Sequence, residues 1–90
     1  MRKVRSRAIR LAVLQRDDNK CRLCYGTEYL TNHHIVPLSW KGGEDSVENG
    51  VTLCRGCHDF IERMYCMKLL RPNNCVQFIE IHSKLKRKFH

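Results

Sequence analysis

Four of the chain's six cysteines stand as two identical pairs, Cys21-x-x-Cys24 and Cys54-x-x-Cys57, and this arrangement limits the fold more than any other feature of the sequence. Each pair sets two sulfurs on one side of a tight turn, so the two pairs together complete a tetrahedral four-sulfur site for zinc. A chain of 90 residues buries a small fraction of its surface, and such a clamp supplies the staple it needs. The 29 residues between Cys24 and Cys54 exceed the usual separation in a compact four-cysteine finger, so the clamp is expected to close around an inserted element. Four thiolates leave zinc no open position; its role is structural, and any catalysis lies elsewhere. Cys66 and Cys75 have no paired partner and read as small buried hydrophobes.

Six cysteines would equally suit a secreted disulfide domain, so the targeting signals decide. Met1-Arg2-Lys3 is basic, but the apolar stretch from Ala8 to Leu14 is broken by Arg10, too short and too polar for a signal-peptide core. No membrane-spanning run follows. The expectation is a cytoplasmic protein without a membrane partner, in which paired cysteines hold metal. Hydrophobic residues at 42% and charged residues at 29%, with only two prolines and five glycines, exclude a disordered chain. The formal net charge of +8 points to a polyanion such as nucleic acid. Four thiolates and one zinc dication lower it to about +6, still basic.

Periodicity organises the rest into one expected domain over residues 1–90, with a basic helix at 4–16, a core at about 16–70 and a basic segment at 73–90. Val4, Ala8, Leu11 and Ala12 fall at helical spacing, and Asp17-Asp18-Asn19 ends that helix. The stretch from Glu28 to Pro37 reads as a short strand stopped by proline; a polar loop from Ser39 to Gly50 leads to a second strand, Val51-Thr52-Leu53. From His58 a helix is expected, with Asp59 and Glu62 in its first turn favoured by the helix dipole and Pro72 marking a stop. Residues 73–90 suit either a helix, through Phe78, Ile81 and Leu85, or a strand, through Val76, Ile79 and Ile81; helix is preferred.

Between and after the knuckles stand His33-His34, Asn49 and His58. With their neighbours, His33-His34-Ile35-Val36-Pro37, Gly42-Gly43, Asn49 five positions before Cys54, and Cys54-x-x-Cys57-His58, they closely resemble the zinc-clamped HNH endonucleases. The match covers about residues 16 to 63, including Arg16-Asp17 before the first knuckle. The resemblance implies a small α+β fold: a ββα-metal core with a structural four-cysteine zinc site and flanking helices. It also implies a metal-dependent DNA endonuclease, a phosphodiester hydrolase, with His33 and His58 as ligands of one catalytic divalent cation and His34 as general base. Imidazole suits the base role because its ordinary pKa lies near neutrality. Alternation along a strand fits this division, since adjacent residues face opposite ways.

Asn49 matches the middle position of the motif, where family members brace the loop that orients the base or approach the metal. Bracing is preferred, and an ordinary Asn49-Gly50 turn is the competing reading. Family members that carry aspartate where His33 stands have a protein anion there. Without one, two imidazoles suit Mn2+, Ni2+, Co2+ or Zn2+ as well as or better than Mg2+.

Arg2, Lys3, Arg5, Arg7 and Arg10 crowd the N-terminal helix, and Lys84, Lys86, Arg87 and Lys88 crowd the C-terminus, as phosphate contacts to DNA or as solvated basic faces. Trp40 reads either as a contact to a base or sugar or as a packing residue. Two rival accounts stand beside the enzyme. One is a non-catalytic zinc-binding module that recognises nucleic acid; in the other, the histidines contribute to the structural zinc site.

Overall fold

A computed structural model describes residues 5–88, with side chains through Leu85, in the order α1 (Arg7–Arg16), β1 (Leu30–His34), β2 (Gly50–Cys54), α2 (Arg55–Cys66) and α3 (Pro72–Lys88). The succession β1, β2, α2 gives the expected small α+β core. α1 starts at Arg7 because Ser6 caps it, its Oγ accepting from the Ile9 N–H at 3.4 Å; Val4, expected within it, lies outside the described residues. The helix ends at Asp17, where Asp18 and Asn19 take left-handed φ values of 57° and 55°, a conformation that short polar side chains tolerate.

β1 and β2 pair antiparallel with His33 opposite Val51 and His34 opposite Gly50. α1 and α2 both pack on β2, which accounts for a strand buried from Gly50 to Leu53 rather than on one face only. Gly50 is required for the α1 contact: a Cβ there would meet Asn32 Oδ1 at 2.7 Å and Val13 Cγ2 at 2.8 Å.

α2 begins at Arg55, three residues before the expected start at His58, with Cys54 as its N-cap. The second knuckle is thus part of the helix. Asp59 and Glu62 consequently lie beyond the first turn, which holds no acidic residue. Pro72 does not stop α2, which ends at Cys66 and turns away through Lys68 at φ 60°. It opens α3 instead, where the missing N–H costs nothing.

The core gathers Leu23, Val51, Leu53, Ile61, Leu70 and Ile79 with Cys21 and Cys75. Each such aliphatic side chain stabilises the fold by about 1.5–3 kcal/mol. Cys75 is fully buried, as expected; Cys66, the last residue of α2, is exposed and lines a cavity with His33 and Tyr65 instead of packing in the core. Asp17 ties α1, the first knuckle and β2 together: its buried carboxylate accepts from Arg16 Nε at 2.9 Å, Arg22 at 3.0 Å and the Thr52 N–H at 2.9 Å. Burial pushes this carboxyl up, but the bonds from Arg16 and Thr52 outweigh it and hold the group below the ordinary range. Among the described residues no helix is long and apolar enough to cross a membrane.

Candidate active site and metal centres

The sulfurs of Cys21, Cys24, Cys54 and Cys57 all lie within 4.8 Å of one another, with Cys24 and Cys54 3.6 Å apart. Backbone N–H groups aim at them, from Cys24 to Cys21 Sγ at 3.5 Å and from Gly26 to Cys24 Sγ at 3.4 Å. Burial and neighbouring sulfurs push the Cys24 and Cys57 thiols up. Burial opposes ionisation of Cys54 too, but the Cys57 N–H and the surrounding thiols donate to it and bring it below its ordinary value. Four crowded thiols are the donor set of a soft dication, whose charge favours their thiolate form.

A second group forms on the other half of the hairpin. His33 in β1 and His58 and Glu62 in α2 each offer a ligand atom within 4.8 Å of the others. Pleating turns His33 toward α2, where its ring meets His58 edge-on at a centroid distance of 5.1 Å. His58 and Glu62 are four residues apart on one helix face, with His58 Nε2 3.0 Å from Glu62 Oε1. Burial, followed by the neighbouring His58 and His34, pushes the His33 pKa down to about 3, so at neutral pH the ring carries a free lone pair.

The His58 tautomer follows from Thr31. The Thr31 hydroxyl lies 2.8 Å from the Leu53 carbonyl oxygen, which only accepts, so its single proton is committed there. The same oxygen is 2.8 Å from His58 Nδ1, which must therefore donate. Nε2, facing Glu62, is the atom available to a cation.

His34 turns to the opposite side of β1. Its Nε2 donates to Asp45 Oδ1 at 2.8 Å, and both side chains are largely buried. Burial raises the Asp45 carboxyl, but bonds from His34 and the Ser6 N–H, with Arg5 nearby, bring it below the ordinary range. Asn49 spans the loop between the strands: Oδ1 accepts from the Val36 N–H at 2.8 Å, and Nδ2 donates to Val36 O at 3.0 Å and Glu44 O at 2.7 Å. All three bonds are to backbone.

Two cavities open on the second group and share Arg5, Asn32, His34 and His58. One, of about 600 Å3, is lined by Arg5, Arg7, Arg10 and Arg55. The other, of about 470 Å3, holds His33 and Glu62 beside Pro37, Leu38, Trp40 and Tyr65. Lys84, on α3, lines neither. Arg2 and Lys3, and the side chains of Lys86, Arg87 and Lys88, lie outside what the structure describes.

Residues 21–62, which contain both knuckles, His33, His34, Asn49, His58 and Glu62, match the family described as HNH endonuclease. This stretch is an HNH domain. A similar protein, the type IV methyl-directed restriction enzyme EcoKMcrA of Escherichia coli (strain K12), is 36% identical over 64 residues, covering 61% of this chain. The chain spans only 23% of that relative's length. No solved structure matches the chain.

Within the HNH domain four residues escaped the sequence reading. Glu62 supplies the anion that two imidazoles alone were expected to lack; its spacing of four from His58 on a helix was the available signal, hidden by assigning it to the helix dipole. Asp45, eleven positions after His34, had no local pattern to mark it, and Thr31 read only as a strand former. Arg55 joins the N-terminal arginines at the cationic cavity because α2 starts early.

Proposed function

We propose that this HNH domain hydrolyses phosphodiester bonds of DNA, with His33, His58 and Glu62 holding one divalent cation, His34 acting as general base, and zinc filling the four-sulfur clamp. The observation that carries the reading is the convergence of two imidazoles and a carboxylate within 4.8 Å, in a cavity that also holds His34 and shares His34, His58 and Arg5 with the neighbouring arginine-lined cavity. A cation held there supplies Lewis-acid stabilisation of the phosphate and the departing oxygen. Glu62 gives the site the anion that a hard ion such as Mg2+ needs, while the imidazoles suit Mn2+, Ni2+, Co2+ or Zn2+.

The chain's own groups do the rest. Asp45 accepts the proton on His34 Nε2, which fixes that tautomer and leaves Nδ1 to take a proton from the attacking water. Asn49 holds the loop that carries Asp45 by bridging Val36 and Glu44. Arg5, Arg7, Arg10 and Arg55 hold phosphates on one side of the reacting group, so binding weakens steeply with salt. The cationic wall suits a nucleic acid, and the relative named as a restriction enzyme favours DNA as the substrate class.

The test is plasmid cleavage across those divalent cations. His34→Ala is expected to lower the rate by about 10²–10⁴-fold with folding and zinc content unchanged. Undiminished cleavage by that variant contradicts the assignment. A wild-type chain that binds DNA and cleaves none with any cation would instead support the non-catalytic recognition module.

A further inference from the structure

The cavity that holds His33 and Glu62 is lined largely by rings, and it shares only Arg5 of the arginines with its neighbour. His58 meets His33 edge-on at 5.1 Å, His33 meets Tyr65 edge-on at 5.4 Å, and Tyr65 meets Trp40 at 6.2 Å and 32°, so a chain of ring contacts links the proposed cation site to Trp40. Tyr65 is pinned by its hydroxyl, which donates to the Ile35 carbonyl at 2.7 Å. The loop that presents Trp40 is held by two turns, Trp40 N–H to Pro37 O at 2.9 Å and Gly43 N–H to Trp40 O at 3.0 Å. A Cβ on Gly43 would lie 2.0 Å from Pro37 O, so only glycine lets the loop close this tightly. The indole lies tilted at 32° to Tyr65 and stays 48% exposed, so ring surface beside the cavity remains available to a ligand.

We infer that Trp40, backed by Tyr65, Pro37 and Leu38, is a stacking site for one unpaired nucleobase next to the phosphate at the His33–His58–Glu62 group. The inference rests on the proposed nuclease reading. A nucleotide whose phosphate sits at that group and whose base leaves the stack has two adjoining cavities to enter. The arginine cavity matches phosphates; the other offers a ring face and apolar walls, and every base has a π-face to lay on them. Inside a duplex those faces are covered by neighbouring base pairs, so the occupant is a single-stranded or flipped-out nucleotide. Stacking selects no particular base, and the site is expected to tolerate any sequence.

Trp40 is the chain's single tryptophan, so its emission reports directly on this position. The zinc-loaded full chain is titrated with fluorescein-labelled and unlabelled oligothymidylate, and with an abasic deoxyribose-phosphate chain of equal length and charge. Oligothymidylate is expected to quench Trp40, and the abasic chain to bind without quenching. Trp40→Ala should weaken oligothymidylate binding about tenfold, the size one aromatic-stacked base contributes, and Trp40→Phe should recover part of it. Quenching by a blunt duplex as well would identify a flipped base, and quenching by single strands alone an unpaired tract; either supports the site. Label anisotropy showing tight oligonucleotide binding with unchanged Trp40 emission, or equal affinity of Trp40→Ala and wild type, overturns the stacking site while leaving the nuclease reading intact. No binding of any oligonucleotide brings down both.

Discussion

The two ligand groups meet on one hairpin and helix, with Cys54 ending β2, Cys57 and His58 adjacent in α2, and His33 across the sheet in β1, while Cys21 and Cys24 complete the clamp from the knuckle before β1. In the clamp the donors are alike and crowded, and backbone N–H groups of the knuckles point at the sulfurs. The imidazole–carboxylate group is unlike in chemistry and depends on neighbours, with His58 oriented by Thr31, His33 kept neutral by burial, and Glu62 60% exposed on its own helix face. A site that must stay closed is built from one ligand type at fixed spacing. The open group mixes ligand types and is held by a second layer of hydrogen bonds, as the proposed exchange of a phosphate there would require.

If that contrast is right, damage to the clamp should cost the fold, whereas damage to the open group should cost only its own ion. Cys54→Ser is therefore the largest effect: structural zinc contributes about 10–16 kcal/mol in small zinc folds, comparable to or above the ~5–15 kcal/mol that holds a domain together. Circular dichroism should show loss of the cooperative melt, with bound zinc near zero. A variant that still melts cooperatively without zinc would erase the distinction.

Thr31→Val sharpens the other side. Its shape suits the strand, but His58 Nδ1 loses its acceptor, and the affinity for Mn2+ at the open group should fall about 10–100-fold with zinc content unchanged. Thr31→Ser should restore it. Isothermal titration of the zinc-loaded chain with Mn2+ measures both, and unchanged affinity in Thr31→Val would mean His58 takes its orientation elsewhere.

The smallest effect falls on the joint between the regions. Asp17→Asn should destabilise the fold by roughly 1–2 kcal/mol at neutral pH, since it weakens bonds to Arg16, Arg22 and the Thr52 N–H. Because the native carboxyl is depressed, its contribution is present above the unfolded carboxylate pKa of about 3.9 and fades as pH falls through the lower native value. Thermal melts of wild type and variant should converge as the solution is acidified through that window; a constant gap would show that the charge of Asp17 is not what matters.

How much of this was legible in the sequence follows the same division. Cysteine spacing alone marked the clamp, and strand alternation separated His33 from His34, because both are local patterns. Helix bounds were less legible. Cys54 serves at once as ligand and N-cap, so the knuckle drew attention away from a helix starting at Arg55, and Pro72 marks a start as readily as a stop. Asp45 and Thr31 act through contacts across the loop and across the sheet, which no spacing encodes. Cys66 shows the limit of composition: its type favours burial, but its position at the end of α2 leaves it exposed.

The most direct measurement is metal counting on the zinc-loaded chain, by mass spectrometry under native conditions with Mn2+ added, for wild type and for His58→Ala combined with Glu62→Gln. Wild type should carry one tightly held zinc and a second, weaker ion, and the double variant should keep the zinc and lose the second. Loss of the zinc in the double variant, or a second ion bound as well as in wild type, would contradict two independent centres on one hairpin.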